Sequence, residues 1–164
     1  MFYNVRRFAF MATFLCVLGL LMCGQAAEKT SRAHVRPFKA VGVAVWDNIL
    51  AGFTTGANFS GTGQGTHLGN FVQSGNLFFT GGPDQNGVIP GQGSVTLKAA
   101  NGDELRFSYA GTLNSANGIG QGNLTFIGGT GRFENASGAG TFYAEIQGVV
   151  NAPMKVWLNG TVSY

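Results

Sequence analysis

The chain reads as an all-β protein, and within that class as an eight-stranded antiparallel β-barrel, with a β-sandwich as the alternative. Three observations lead there. From Phe38 onward, no apolar pattern with a period of about 3.6 residues persists beyond two turns. Alternating apolar and polar stretches recur instead, separated by short turns rich in Gly and Asn. Each stretch has an apolar face, and eight such strands close into a barrel whose interior is filled by side chains or holds one small ligand.

The N-terminal end precedes this pattern. Arg6 and Arg7 are followed by an apolar run, Phe8 to Met22, too short to span a bilayer comfortably. Gly24 and Ala26 are the small residues expected before a cut at Ala27. Residues 1–26 are thus expected to be an export signal, making the protein secreted or periplasmic. Lipid attachment at Cys23 is an alternative, weakened because Met22 stands where a small residue belongs. A twin-arginine route is another, but Arg6-Arg7 lacks the usual flanking residues. Both cysteines, Cys16 and Cys23, lie inside the signal, so the exported body has no disulfide and must be held by its core.

Residues 27–37 are polar, basic and aperiodic, and are expected to form a disordered leader able to touch an anionic envelope surface. Residues 38–164 form one domain. The net charge of +3 is concentrated before residue 40. From Ala40 on, Lys98, Arg106, Arg132 and Lys155 are outnumbered by acidic residues. A nucleic-acid face needs a basic stripe on the folded body, so nucleic acid is not an expected partner.

The strands follow in order. In Phe38 to Trp46 both faces are apolar, Val41, Val43 and Val45 against Ala40, Gly42 and Ala44, as expected for a strand covered on two sides. Asp47 to Gly52 reads as a connector. In the second strand, Ala57 to Gly65, Gly61, Gly63 and Gly65 share one face, over which an aromatic from another strand should lie. Asn70 to Thr80 is the third strand. Gly81 to Gln92, with Pro83 and Pro90, reads as the longest and most mobile loop.

Ser94 to Ala99 and Asp103 to Thr112 flank Asn101-Gly102, a hairpin signal. A two-residue loop would set Leu97 against Arg106. A three-residue loop, Ala100-Asn101-Gly102, pairs Leu97 with Leu105 and Val95 with Phe107, so the apolar face selects it. Gly102 then takes left-handed geometry. Ile119 to Gly128, Ser137 to Val150 and Pro153 to Tyr164 complete the eight. In the last strand Met154, Val156, Leu158, Val162 and Tyr164 share a face, with Trp157 on the other.

The rest of the chain is organised around Phe126 to Tyr143. Gly128, Gly129, Thr130 and Gly131 make a tight corner, Phe133 follows it, and Asn135 to Gly138 launches the next strand. Gly131 is expected to need a conformation other residues resist, and Phe133 to be buried. Gly69-Asn70-Phe71 echoes Gly131-Arg132-Phe133 as a weak internal repeat.

Phe126 to Phe133, with Ala136 and Gly138, resembles the Gly-Gly-Thr-Gly-x-Phe segment of dirigent proteins, whose barrel is shared with allene oxide cyclases. The order GTHLGNF (65–71), AANGDELRFSY (99–109), GGTGRF (128–133) also resembles exported bacterial proteins of that barrel type. The resemblance implies an eight-stranded antiparallel barrel, often trimeric. Dirigent proteins commonly carry a basic residue where Ser137 stands, so their activity does not transfer with the fold.

Few residues suggest chemistry. His67, in Gly65-Thr66-His67-Leu68-Gly69, is either a general base or a turn histidine bonded to backbone. Asp103, Glu104 and Arg106 flank a hairpin tip, as solvated charges do. Tyr109 joins Leu105 and Phe107 on the apolar face. Tyr143 and Glu145 point outward if the lumen is apolar, and become lumen groups of an isomerase-like site if the assignment is inverted. No metal ligand set and no phosphate-loop or nucleophile motif is seen, so no metal and no cofactor are expected. Three functions stay open: non-catalytic binding of a small apolar ligand or an envelope partner, a structural self-assembling envelope module, and a cofactor-free isomerase or cyclase.

Overall fold

The structure, a computed structural model, describes residues 34–50, 56–146 and 152–164. The expected signal and most of the expected leader lie outside the described residues. These residues form eight strands: β1 (Arg36–Leu50), β2 (Gly56–Gly65), β3 (Gly69–Phe79), β4 (Val88–Ala99), β5 (Glu104–Asn114), β6 (Ile119–Gly129), β7 (Ser137–Glu145) and β8 (Met154–Ser163). Each pairs antiparallel with the next, and β8 returns to β1, pairing Ala40 with Leu158 and Phe38 with Gly160. The sheet closes into a barrel with no open edge, which excludes the sandwich.

The hairpin register is the one the apolar face selects. Leu97 faces Leu105, and Val95 faces Phe107. The Ala99 N–H donates to the Asp103 carbonyl at 2.9 Å, leaving Ala100-Asn101-Gly102 as the loop, with Gly102 at φ 92°. A left-handed residue lets an odd loop match the strand twist.

Three strand boundaries differ from expectation. β1 begins at Arg36, so Arg36 and Pro37 belong to the barrel and not to the leader; Arg36 donates to the Tyr164 hydroxyl at 3.2 Å. β1 also continues through the expected connector to Leu50, after an irregularity between Trp46 and Asn48 that absorbs the change of register. β4 starts at Val88, well inside the expected mobile loop, because Pro90 still offers its carbonyl, which accepts from the Thr80 N–H at 2.9 Å. The remaining loop is tied down by Asp84, whose Oδ1 accepts from the Asn86 and Val88 N–H groups at 2.8 Å each. The seventh strand ends at Glu145; the rest of its expected span, apart from Ile146, lies outside the described residues.

The lumen takes the apolar sets. Phe38, Leu97, Leu105, Leu124 and Val162 are almost fully buried there. Lys39, Lys98, Arg106, Glu145 and Lys155 face outward and are exposed. That alternation is the inverse of a lipid-facing barrel. Val41, Val43 and Val45 also face outward, at 39%, 45% and 38% exposure, so among the described residues β1 is covered on one side only, contrary to expectation.

Candidate functional site

On the lumen face, aromatic side chains are paired with glycines directly opposite them on the adjacent strand. Phe71 lies over Gly63, the aromatic cover that the glycine face of β2 requires. Phe59 lies over Gly75, Tyr109 over Gly93 and Phe142 over Gly122; a Cβ at those glycines would stand 2.6–2.9 Å from ring atoms. In each of these pairs the side chain missing from the glycine leaves the room that its cross-strand partner's ring takes up.

The two ends of the lumen are filled differently. One end is solid. Phe38 and Phe107 each pack edge-on to Phe126, with centroids 4.9 and 6.0 Å apart. The corner after β6 closes this end. Gly131 has φ 58° and opens a short 3-10 turn, Gly131–Phe133, that drops Phe133 into the lumen, fully buried and edge-on to Tyr164 at 4.8 Å. Gly128, at φ 99°, and Gly129 let the chain pass close to β5; a Cβ on Gly129 would collide with the Glu104 carbonyl. Thr130 stitches the corner to β5, its N–H donating to the Glu104 carbonyl at 2.9 Å and its Oγ1 accepting from the Glu104 N–H at 3.0 Å. Arg132 then crosses the end, donating to the His67 carbonyl at 2.8 Å and lying 3.6 Å from the Asp103 carboxylate. The internal repeat has a partial counterpart: Gly69 and Gly131 both have positive φ two residues before a buried phenylalanine, but Phe71 sits on a strand and Phe133 in the plug.

The other end holds a cavity of about 80 Å³, where β3 ends and β4 begins. Its walls include Trp46, Phe59, Leu77, Phe107, Phe142 and Leu158. Two T-shaped pairs, Trp46–Phe59 and Tyr109–Phe142, set its shape. Two polar side chains reach its inner wall. Tyr109 donates its hydroxyl proton to the Asn76 carbonyl at 2.8 Å, and burial pushes its pKa well above the ordinary phenol value. Gln73, 6% exposed, lies at the floor beside Gly42.

The residues singled out in the sequence are not brought together. His67 is at the plugged end, in the turn between β2 and β3, with φ 67°; its ring lies 3.0 Å from the Pro37 carbonyl through Nε2 and edge-on to Tyr164. That is the turn histidine bonded to backbone, away from the cavity. Tyr143 and Glu145 point outward, Tyr143 against Trp157 and Glu145 opposite Lys155, so the inverted lumen does not form. Only Tyr109 lines the cavity. Gln73 was missed. The run Phe71, Gln73, Gly75, Leu77 places it on the apolar side of β3 as the one amide among apolar residues, a signal open to inspection.

Among the described residues, no three His, Cys, Asp or Glu side chains gather to hold a metal ion. No protein-family model and no curated protein matches the chain. The functional reading therefore rests on the lumen.

Proposed function

We propose that the protein is an exported barrel that binds a small apolar ligand in its lumen and performs no chemistry on it. The observation that carries this reading is the cavity itself: about 80 Å³, walled by aromatic and aliphatic side chains, with no charged residue among the described residues of its lining. Its one titratable group, Tyr109, holds its proton more firmly than a free phenol, so it is poorly suited to serve as a general base near neutral pH. The size restricts the ligand to a few heavy atoms, well below the roughly 300–1,000 Å³ of drug-sized sites.

Short alkanes, propane through hexane, test the lumen. Trp46 emission and the Met154 methyl resonance should respond saturably. In Gly120→Leu the response should vanish while the fold persists, because a Cβ there meets the Ile146 Cδ1 at 3.3 Å, the Ala144 Cβ at 3.5 Å and the Ala144 carbonyl oxygen at 3.9 Å, none of them a collision. No saturable response in the native protein would overturn the reading. Export is tested by intact mass: the exported form should begin at Ala27, and a diacylglycerol mass on Cys23 would favour lipid anchoring.

A second reading has its own observation. Val41, Val43, Val45 and Val72 make an exposed apolar stripe on the outer face, continued by Trp157 and Tyr143 across β8 and β7. Such a stripe favours self-association, and the dirigent-like resemblance implies a trimer. Sedimentation of native protein against Val43→Lys tests it; a native monomer at high concentration would exclude it.

A further inference from the structure

The floor of the cavity holds a polar group that an apolar ligand leaves unused. Gln73 is 6% exposed, and its Nε2 finds no hydrogen-bond partner among the described residues. An unpaired buried amide donor is costly, and natural folds seldom leave one unanswered. The surroundings make room for this amide and offer it nothing. A Cβ on Gly42 would stand 2.9 Å from Nε2, so glycine there keeps the space open. In register, Gln73 lies between Gly61 on β2 and Leu97 on β4. The Tyr109 hydroxyl, which donates to the Asn76 carbonyl, makes no hydrogen bond to this amide.

We propose that the ligand is a small neutral carbonyl compound, a ketone or ester with a short alkyl chain, whose oxygen accepts the Gln73 Nε2–H while the chain lies against Phe107 and Leu158. The inference rests on the lumen-binding reading and narrows its ligand. A carboxylate would be buried without a cation, since among the described residues no charged side chain lines the cavity. An alkane leaves the donor unpaired. An alcohol brings a further donor into an apolar wall. A carbonyl oxygen brings acceptors only, so it satisfies Gln73 and adds no new unpaired group.

The test compares methyl ethyl ketone with its isostere in which C=CH2 replaces C=O, titrated calorimetrically into the purified protein. The ketone should bind about tenfold more tightly, the worth of one hydrogen bond, and only the ketone should shift the Gln73 side-chain amide resonances. Gln73→Met, of similar length but without a donor, should bind both compounds equally. It should also melt no lower than native protein, because it removes an unpaired buried donor. Equal affinities in native protein, or a preference retained in Gln73→Met, would overturn the donor role while leaving lumen binding standing. Binding of neither compound would overturn both. A water that stays on Nε2 with ketone bound would also refute the contact.

Discussion

Phe133→Ala tests the plug on which the closed end of the barrel depends. The ring is fully buried and packs edge-on against Tyr164 at 4.8 Å. Removing about 150–200 Å² of apolar surface from burial, at about 25 cal/mol per Å², costs roughly 4–5 kcal/mol. The lost edge contact adds about 0.5–1.5 kcal/mol. A denatured chain that already buries some of this surface lowers the sum, and collapse around the cavity lowers it further. The expected cost is about 3–5 kcal/mol, the range seen for buried aromatic truncations. That is a large share of the about 5–15 kcal/mol by which a domain is stable. Urea unfolding followed by far-UV signal measures it, with the slope against denaturant unchanged if only the plug is lost. Trp46, at the opposite end, should keep its emission maximum in the folded baseline. A loss below about 1 kcal/mol with an unchanged slope would place Phe133 on an exposed corner and refute the plug.

Gly131→Val should lower the urea midpoint, because valine resists φ 58° and its Cβ would collide with the Asp103 carboxylate; an unchanged midpoint would deny the left-handed corner. Gly102→Ala should cost about 1 kcal/mol from backbone conformation alone, since no atom lies within 4 Å of the added Cβ. Asn101→Ala should be felt too, through the loss of its hydrogen bonds with Asp103 at 2.8 and 3.2 Å, although its φ is ordinary. Tyr109 makes stability fall in alkali. Its folded pKa is raised by burial, so its contribution is complete below the unfolded value near about pH 10 and is lost as pH rises above it. The stability gap between native protein and Tyr109→Phe should stay constant from about pH 8 to about pH 9 and narrow as pH rises past about 10 in paired urea titrations, and parallel curves would contradict the burial.

Much of the architecture was legible because it is local. The odd hairpin loop follows from Leu97 and Leu105 having to share a face, and Gly102 is the one residue there free to turn left-handed. The corner at Gly128–Phe133 is legible for the same reason: clustered glycines mark tight backbone, and a lone aromatic after them has to be buried. Strand ends were less legible. Pro90 looks like a loop residue, yet its carbonyl pairs with Thr80. Arg36 and Pro37 look like leader, yet Thr161 and Val162 wait opposite them across the whole length of the chain. Of the residues that suggested chemistry, His67, Tyr143 and Glu145 were chosen for what they can do, and position removes each from the lumen.

The alternation of apolar residues, the register of the hairpin and the apolar character of the lumen belong to the sequence, because side-chain faces repeat every two residues whatever the rest of the chain does. Closure of β1 on β8, the contrast between the plugged end and the cavity, and the solitary amide of Gln73 belong to the tertiary structure. They depend on the stagger with which distant strands meet around the barrel, and stagger is set by the closed ring as a whole and not by any one strand.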